Sequence, residues 1–487
     1  MATVIERLEK VIEEEAPAWG VSPTTPEVRR LRGFDFAVLW GDLGIGLLVL
    51  VAGALLVPAL GLPQALLAIV IGSALGCIPL ALVGLAGSRE GLPGMVLLRP
   101  TLGTRGSYLP TVLNIVQLVG WTAFEFWAMA LVASRITGPI LGIESFYVWL
   151  TVVALVCLLL SLGGPILVVR RWMERFGVWV LAAAAGWITF RVLTTVDLGA
   201  LWARPGAGGF PPFWPAVDLV IAMPVSWIPL VADYNRFARR GGRAAAGTYL
   251  GYLAANLWFY SLGALLILGA GAGGASVTGI ADGIVAVAGG ALVLVVLLVG
   301  ETDEAFADIY SAAVSSQNLV PRLNQRVGVV AVSAIGVALA VWLFGLPGDG
   351  TQTYEFFLFL IGSVFVPLFG VFLADHFVLR HRTRPESLFD PPGSHRYAGG
   401  FNLAALTAWV LGFAVYHWIA PTPLAGWASA VEAFLGGWLG LPFPLFGGEA
   451  PASVVAFAAA FLAYLPLGAL VSPRRRGGRE AARSPTG

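Results

Sequence analysis

Lysine is nearly absent: Lys10 is the only one among 487 residues. A phosphate-loop ATPase needs a lysine on the nucleotide phosphates, so that class is excluded. No HExxH string occurs, which removes the commonest intramembrane metalloprotease signature. Cysteine is scarce as well. Cys77 and Cys157 both lie in apolar runs and read as buried core thiols. The four histidines, His376, His381, His395 and His417, show no metal-ligand spacing. Charged residues make up 12% of the chain, where a soluble protein carries about twice that share. With a net charge of +1, no nucleic-acid partner is implied. The acidic N-terminus, with Glu6, Glu9 and Glu13 to Glu15, does not read as a cleavable signal peptide.

What the chain has in abundance is apolar surface. It is 58% hydrophobic with a mean hydropathy of +0.83. Only bilayer hydrocarbon solvates so much of it, and a spanning helix takes roughly 20 residues. Twelve apolar segments can be read, near 34–58, 63–87, 108–137, 145–168, 174–196, 213–233, 245–271, 279–317, 326–345, 353–379, 401–420 and 451–471. The third and eighth are long, which predicts tilt. The stretch 421–450, rich in Pro, Gly and Trp, reads as an interfacial loop or a short surface helix. The expectation is an all-α integral membrane protein.

Arginine gives the orientation. Arg29, Arg30 and Arg32 precede the first span, and Arg89, Arg99 and Arg105 follow the second. Arg170, Arg171 and Arg175 follow the fourth; Arg236, Arg239, Arg240 and Arg243 follow the sixth. Arg322 and Arg326 follow the eighth, Arg380, Arg382, Arg384 and Arg396 the tenth, and Arg474 to Arg476 close the chain. Only Arg135, Arg191 and Arg204 fall on the other side. Every even-numbered loop is basic, so both termini are expected in the cytoplasm and the protein in the cell's inner (plasma) membrane. One missed span would invert the later alternation.

Two spans carry breakers at mid-depth. The first reads Trp40-Gly41-Asp42-Leu43-Gly44-Ile45-Gly46, and the sixth Met223-Pro224-Val225-Ser226-Trp227-Ile228-Pro229. The first and sixth spans are corresponding elements of two five-helix halves. Interrupted helices in corresponding positions point to a transporter's midplane site, where freed backbone groups bind ions and substrates. Ordinary glycine packing and proline kinks are the alternative.

Acids inside the membrane need a partner, water or a proton. The third span places Trp121 and Glu125 four residues apart, on one helical face. An aromatic plane beside a carboxylate suits a flat heterocycle with N–H donors. A bundle-facing Glu125 capping a neighbouring helix break is the alternative. The eighth span holds Glu301-Thr302-Asp303-Glu304-Ala-Phe-Ala-Asp308, in which Glu301, Glu304 and Asp308 share a face. This predicts a cation or proton site, with a water-filled vestibule or a misplaced helix end as the other readings. Asp233 and Arg236 read as a local ion pair.

These segments resemble the nucleobase:cation symporter-1 family, which includes cytosine, allantoin and hydantoin permeases. The likeness covers nearly the whole chain. It rests on Glu90-Gly-Leu-Pro-Gly-Met-Val-Leu-Leu-Arg99, Gly103-Thr-Arg-Gly-Ser-Tyr-Leu-Pro110, Gly120-Trp121, Ser226-Trp-Ile-Pro-Leu-Val-Ala-Asp-Tyr-Asn-Arg236 and Asp308-Ile-Tyr-Ser-Ala312. Phe401-Asn402 through Ala408-Trp409 fits the pattern of the eleventh span. The sixth-span string looks most like the hydroxymethylpyrimidine permease branch. The resemblance implies a LeuT-like fold, with ten core helices in two inverted repeats plus two peripheral ones. Residues 34–379 would form the core and 401–471 the peripheral helices, with cytoplasmic segments at 1–33, 380–400 and 472–487.

The resemblance also implies roles. Trp121 would stack on the ring, with Glu125 where relatives place a polar hydrogen-bonding residue. Ser226 matches a substrate-contacting serine, Met223 would join it, and Gly46 matches a substrate-facing position. The family's sodium site would use carbonyls of Asp42, Ile45 and Gly300 and two adjacent hydroxyl residues. Asp303 and Glu304 stand where that hydroxyl pair belongs; a register one residue over would leave Thr302 as one hydroxyl. Carboxylates at this place would bind sodium more tightly or replace it with a proton. The expected protein is a symporter importing a pyrimidine of hydroxymethylpyrimidine or cytosine type by alternating access. It would have no cofactor beyond the coupling ion, no obligate protein partner, and membrane lipid as its solvent. A downhill facilitator, or a purine, hydantoin or allantoin symporter of the same family, is the alternative. A membrane enzyme is disfavoured, since no nucleophile–base constellation appears.

Overall fold

The computed structural model describes residues 21–163, 177–269, 274–346, 350–379, 388, 397–420 and 427–471. The N-terminal acids, Lys10, Arg170, Arg171, Arg175, Arg380, Arg382, Arg384, Arg396, Arg474 to Arg476, His381 and His395 lie outside these residues.

In lipid a spanning segment must satisfy its own backbone, so apolar runs of this length become helices. All twelve expected segments do so. The first is two helices, α1 (Gly33–Asp42) and α2 (Leu47–Ala54), bent by 61° across the break. Then follow α3 (Leu62–Glu90), α4 (Tyr108–Leu141), α5 (Phe146–Gly163) and α6 (Val178–Thr195). The sixth span is again two helices, α7 (Phe213–Ser226) and α8 (Ile228–Asn235), meeting at Trp227. Pro229, in the first turn of α8, has no N–H to donate back across the junction. The second half continues with α9 (Gly241–Gly269), α10 (Val277–Val285), α11 (Gly290–Leu319), α12 (Gln325–Phe344) and α13 (Thr351–Leu373), and ends with α14 (Leu403–Ile419) and α15 (Ala452–Val471).

Among the described residues, nine helices are long and apolar enough to cross a membrane, and the bent first span makes a tenth. The remaining two are α11, whose apolar run is interrupted by acids, and α14, at 17 residues. The eighth segment departs from expectation. Its length is not taken up by tilt: it divides at Gly289, a left-handed residue (φ +79°), into the short α10 and the spanning α11. The third segment is one 34-residue helix, about 50 Å long, longer than the roughly 30 Å hydrocarbon layer. In 421–450 a short helix at Trp427–Glu432 runs into a wide turn at Ala433–Trp438, followed by loop.

The helices sort into two packed groups. In one, α9 lies along α1, α2 and α3, and α3 also carries α7 and α8. In the other, α4 packs on α11, α12 and α5. Gly247, Gly251 and Gly263 bring α9 against the first span, since a Cβ on any of them would strike the backbone of Gly33, Ala37 or Leu50. At the periphery α15 packs on α14 and α13.

Buried carboxylates tie that periphery to the core. Asp218 of α7 accepts the backbone N–H groups of Ala452 and Ser453, both at 2.9 Å, at the start of α15. Asp375, just after α13, accepts from the hydroxyls of Thr101 (2.7 Å) and Tyr464 (2.8 Å).

Candidate substrate and cation site

The break in the first span leaves the N–H groups at the start of α2 without intrahelical acceptors. Gly46, the N-cap, has no side chain to supply one. Glu301 supplies it from α11: its carboxylate accepts from Leu47 N–H (2.7 Å) and Leu48 N–H (3.4 Å). The Glu301 carboxyl thus sits at the positive end of the α2 dipole. Tyr354 of α13 adds a bond from its hydroxyl to Leu48 O (3.0 Å). The sequence placed Glu301 among the acids of a cation or proton site and weighed capping for Glu125. In the structure it is Glu301 that caps the break, because it lies opposite it on α11.

Trp121 and Glu125 share a face of α4 as expected, and both are buried. The Trp121 ring meets Tyr354 and Phe357 of α13 edge-on, at centroid distances of 5.9 and 5.2 Å. Phe124 closes on the same two rings at 5.5 and 5.2 Å. Phe357 also fills the space beside Gly120, where a Cβ would come within 2.9 Å of it. Tyr354 and Phe357 escaped the sequence reading: nothing in their apolar helix sets them apart from core aromatics. Across from α4, Asp308 of α11 brings its carboxyl to hydrogen-bonding reach of Glu125.

Ser226 ends α7, and its hydroxyl donates to Met223 O at 2.7 Å, which holds it on its own helix. Its carbonyl, freed by the break, accepts from Gln117 Nε2 at 2.9 Å. Gln117 also donates to Asn114 Oδ1 (2.9 Å), and its own side-chain oxygen is buried with no partner among the described residues. The sequence reading passes over Gln117. Its spacing, four residues before Trp121 on the same face, was the available signal.

Of the residues assigned to a cation, three share one cavity. Asp42, Gly300 and Asp303 line a cavity of about 160 Å³ between α6 and α11, walled by Leu181 and Val299, and the Asp42 and Asp303 carboxyls reach each other. Ile45 and Glu304 are not among its lining residues. Ile45 N–H closes the turn onto Asp42 O at 2.8 Å. Glu304 instead abuts Gly46, where a Cβ would collide with its carboxylate. Adjacent residues on a helix point about 100° apart, which separates Asp303 from Glu304. Among the described residues, no three His, Cys, Asp or Glu side chains gather as a metal-holding group.

Asp233 and Arg236 interact by charge, and the backbone ties them further: Arg236 Nε donates to Asp233 O (3.1 Å), while the Asp233 carboxyl accepts from Gly94 N–H (2.8 Å). Trp40 and Trp227 spend their indole nitrogens on Asn235 Oδ1 (3.1 Å) and the Tyr252 hydroxyl (2.9 Å).

A multi-pass helical bundle whose first and sixth spans break beside buried polar groups is the architecture of a LeuT-like membrane transporter, not of an enzyme. A family model described as permease for cytosine/purines, uracil, thiamine and allantoin matches residues 23–440, and the chain belongs to that family, the nucleobase:cation symporter-1 permeases. Among its relatives, the hydantoin permease of Microbacterium maritypicum is 24% identical over 87% of this chain and 90% of its own. The putative allantoin permease of Escherichia coli K12 is 23% identical (88% and 95%), and the cytosine permease of the same strain 26% (72% and 78%). A solved nucleobase-cation-symport-1 family transporter, closed with bromovinylhydantoin bound, superposes with a TM-score of 0.76 at 21% identity, covering 93% of this chain and 95% of that one. A Na+-coupled sialic acid symporter shares the fold at a TM-score of 0.62 and 14% identity, covering 96% of each chain.

Proposed function

We propose that this protein imports a flat, amino-bearing pyrimidine of hydroxymethylpyrimidine or cytosine type through the cell's inner membrane, coupled to sodium or a proton by alternating access, with both termini in the cytoplasm. The observation that carries the reading is Trp121 and Glu125 on one buried face of α4, with Gln117 of that face bonded to the freed Ser226 carbonyl and Tyr354, which packs on Trp121, bonded to Leu48 O. A carboxylate accepts two parallel hydrogen bonds from an exocyclic amino group and an adjacent protonated ring nitrogen, and an indole face stacks on the ring between them. Gly46, Met223 and Ser226 stand at the two breaks, where a ring lying on Trp121 would meet backbone. The coupling cation is assigned to Asp42, Ile45, Gly300, Asp303 and Glu304. Relatives called hydantoin and allantoin permeases support a second substrate reading at the same site.

The deciding experiment is a radiolabel uptake screen in proteoliposomes. Cytosine, hydroxymethylpyrimidine, hydantoin and allantoin are offered under an imposed sodium gradient, an imposed proton gradient, or none. Accumulation of a pyrimidine above equilibrium is the expected result. Uptake of hydantoin or allantoin alone replaces the substrate assignment, and strictly downhill flux replaces symport with facilitation. Exchanging Asp303 for Asn together with Glu304 for Gln is expected to uncouple accumulation from its ion while leaving substrate binding measurable. Wild-type accumulation by that double variant removes these acids from the coupling site.

A further inference from the structure

Glu125 and Asp308 come from different helices, α4 and α11, and bring their carboxyls together at hydrogen-bonding reach. Their side chains are 0% and 1% exposed. No N–H or O–H donor among the described residues reaches any of the four oxygens. Among the described residues, the ionisable groups that act on them are Glu301 and Glu304 of α11, Cys157 of α5 and Tyr234 of α8, none of which carries positive charge. Two bare carboxylates at this distance in a low-dielectric interior repel strongly, and no side chain among the described residues is seen to offset them. One proton placed between them removes a charge and creates the hydrogen bond that neither oxygen otherwise makes.

A second feature marks this face as one that receives a ligand. The Trp121 Nε1 donor, one turn before Glu125 on the same side of α4, is 95% buried and has no partner among the described residues. An unsatisfied donor and unsatisfied acceptors on one buried face suit a solute that brings both kinds of group.

Building on the transport reading above, we propose that Glu125 and Asp308 form a single carboxyl pair that holds one proton at the substrate face and moves it with the solute, separately from any cation held near Asp303. The proton comes either from water or from a solute that arrives protonated. In both cases one positive charge crosses with each solute. Neutral glutamine or asparagine at either position keeps the shape of the pair and abolishes the shared proton.

Two measurements test this, one of which needs no substrate. Infrared difference spectra at neutral pH, wild type minus Glu125→Gln and wild type minus Asp308→Asn, are each expected to contain a protonated-carboxyl C=O stretch that shifts in heavy water, since the other buried carboxyls cancel. No such band in either difference overturns the pair. The second measurement uses radiolabelled cytosine in sodium-free proteoliposomes with the membrane potential clamped at zero. A gradient of one pH unit is worth about tenfold accumulation per proton moved. Asp308→Asn should lower the steady-state accumulation ratio by about that factor, and an unchanged ratio overturns the proposal. Protonated solute carrying the charge predicts that uptake at fixed gradient follows the fraction of protonated cytosine outside; a proton from water predicts that it does not. Cytosine that fails to move at all removes the substrate assignment, and the infrared band then decides the pair alone.

Discussion

Asp218 and Glu125 are both fully buried carboxylates on membrane-spanning helices, yet their surroundings are opposite. Each oxygen of Asp218 accepts a backbone N–H at the start of α15. Glu301 and Asp375 are similar, with both oxygens of each engaged by N–H or hydroxyl donors. Glu125 and its neighbour Asp308 have no such donor. A buried ion with its donors in place holds two elements together and resists removal. The same functional group, at the same burial, is thus a strut in one region and without a donor in the other. Donor count separates them.

Substitutions at four positions break or sharpen that contrast. Asp218→Ala should have the largest effect on stability. It strands two buried N–H groups that had charge-assisted bonds worth about 1.5–3 kcal/mol each. Thermal unfolding in detergent should show a large drop, and a wild-type melting temperature would mean that α15 is anchored some other way. Glu301→Ala comes next, at about 2–3 kcal/mol, because its second bond, at 3.4 Å, is long. Since α2 borders the proposed site, this variant should also lose uptake per folded molecule, which Asp218→Ala should not.

Glu125→Gln should behave in the opposite way. It should weaken cytosine binding about tenfold or more, a loss of about 1.4 kcal/mol, without lowering the melting temperature. Calorimetric titration and a melting curve on the same sample read both. A destabilised protein with unchanged affinity would move Glu125 into the class of Asp218. Trp121→Ala should have the smallest effect, about 1 kcal/mol of affinity beyond lost contact area, and Trp121→Phe should keep most binding. If both bind as the wild type does, the stacking surface lies on other rings. Trp40 and Trp227 are poor substitutes, since hydrogen bonds and edge-on ring contacts fix both in the core.

Much of the fold was legible because membrane helices are written in local composition. Apolar runs located the spans, and the arginines predicted their orientation. Glycine and proline located both breaks, because they act on the backbone where they stand. The eighth span was misjudged in length since nothing in an apolar run distinguishes a short helix before Gly289 from the start of the spanning one. At the site, the Trp121–Glu125 face followed from helical period alone. The sequence grouped Glu301, Asp303, Glu304 and Asp308 by nearness along the chain, and the structure gives each a different neighbour. Glu301 caps α2, Asp303 faces Asp42 beside the α6 cavity, Glu304 abuts Gly46, and Asp308 meets Glu125.

The sequence by itself determined the solvent of this protein, its helices, the depth of its breaks and which residues share one helical face. Each of these is a property of residues within one or two turns of each other. Tertiary structure alone decided which acids acquired donors and which were left without. That depends on what the neighbouring helix presents, and helix packing brings together residues as far apart in sequence as Leu47 and Glu301, or Asp218 and Ser453. A carboxylate's role is set across that gap, by the hydrogen-bond donors within about 3 Å of its oxygens.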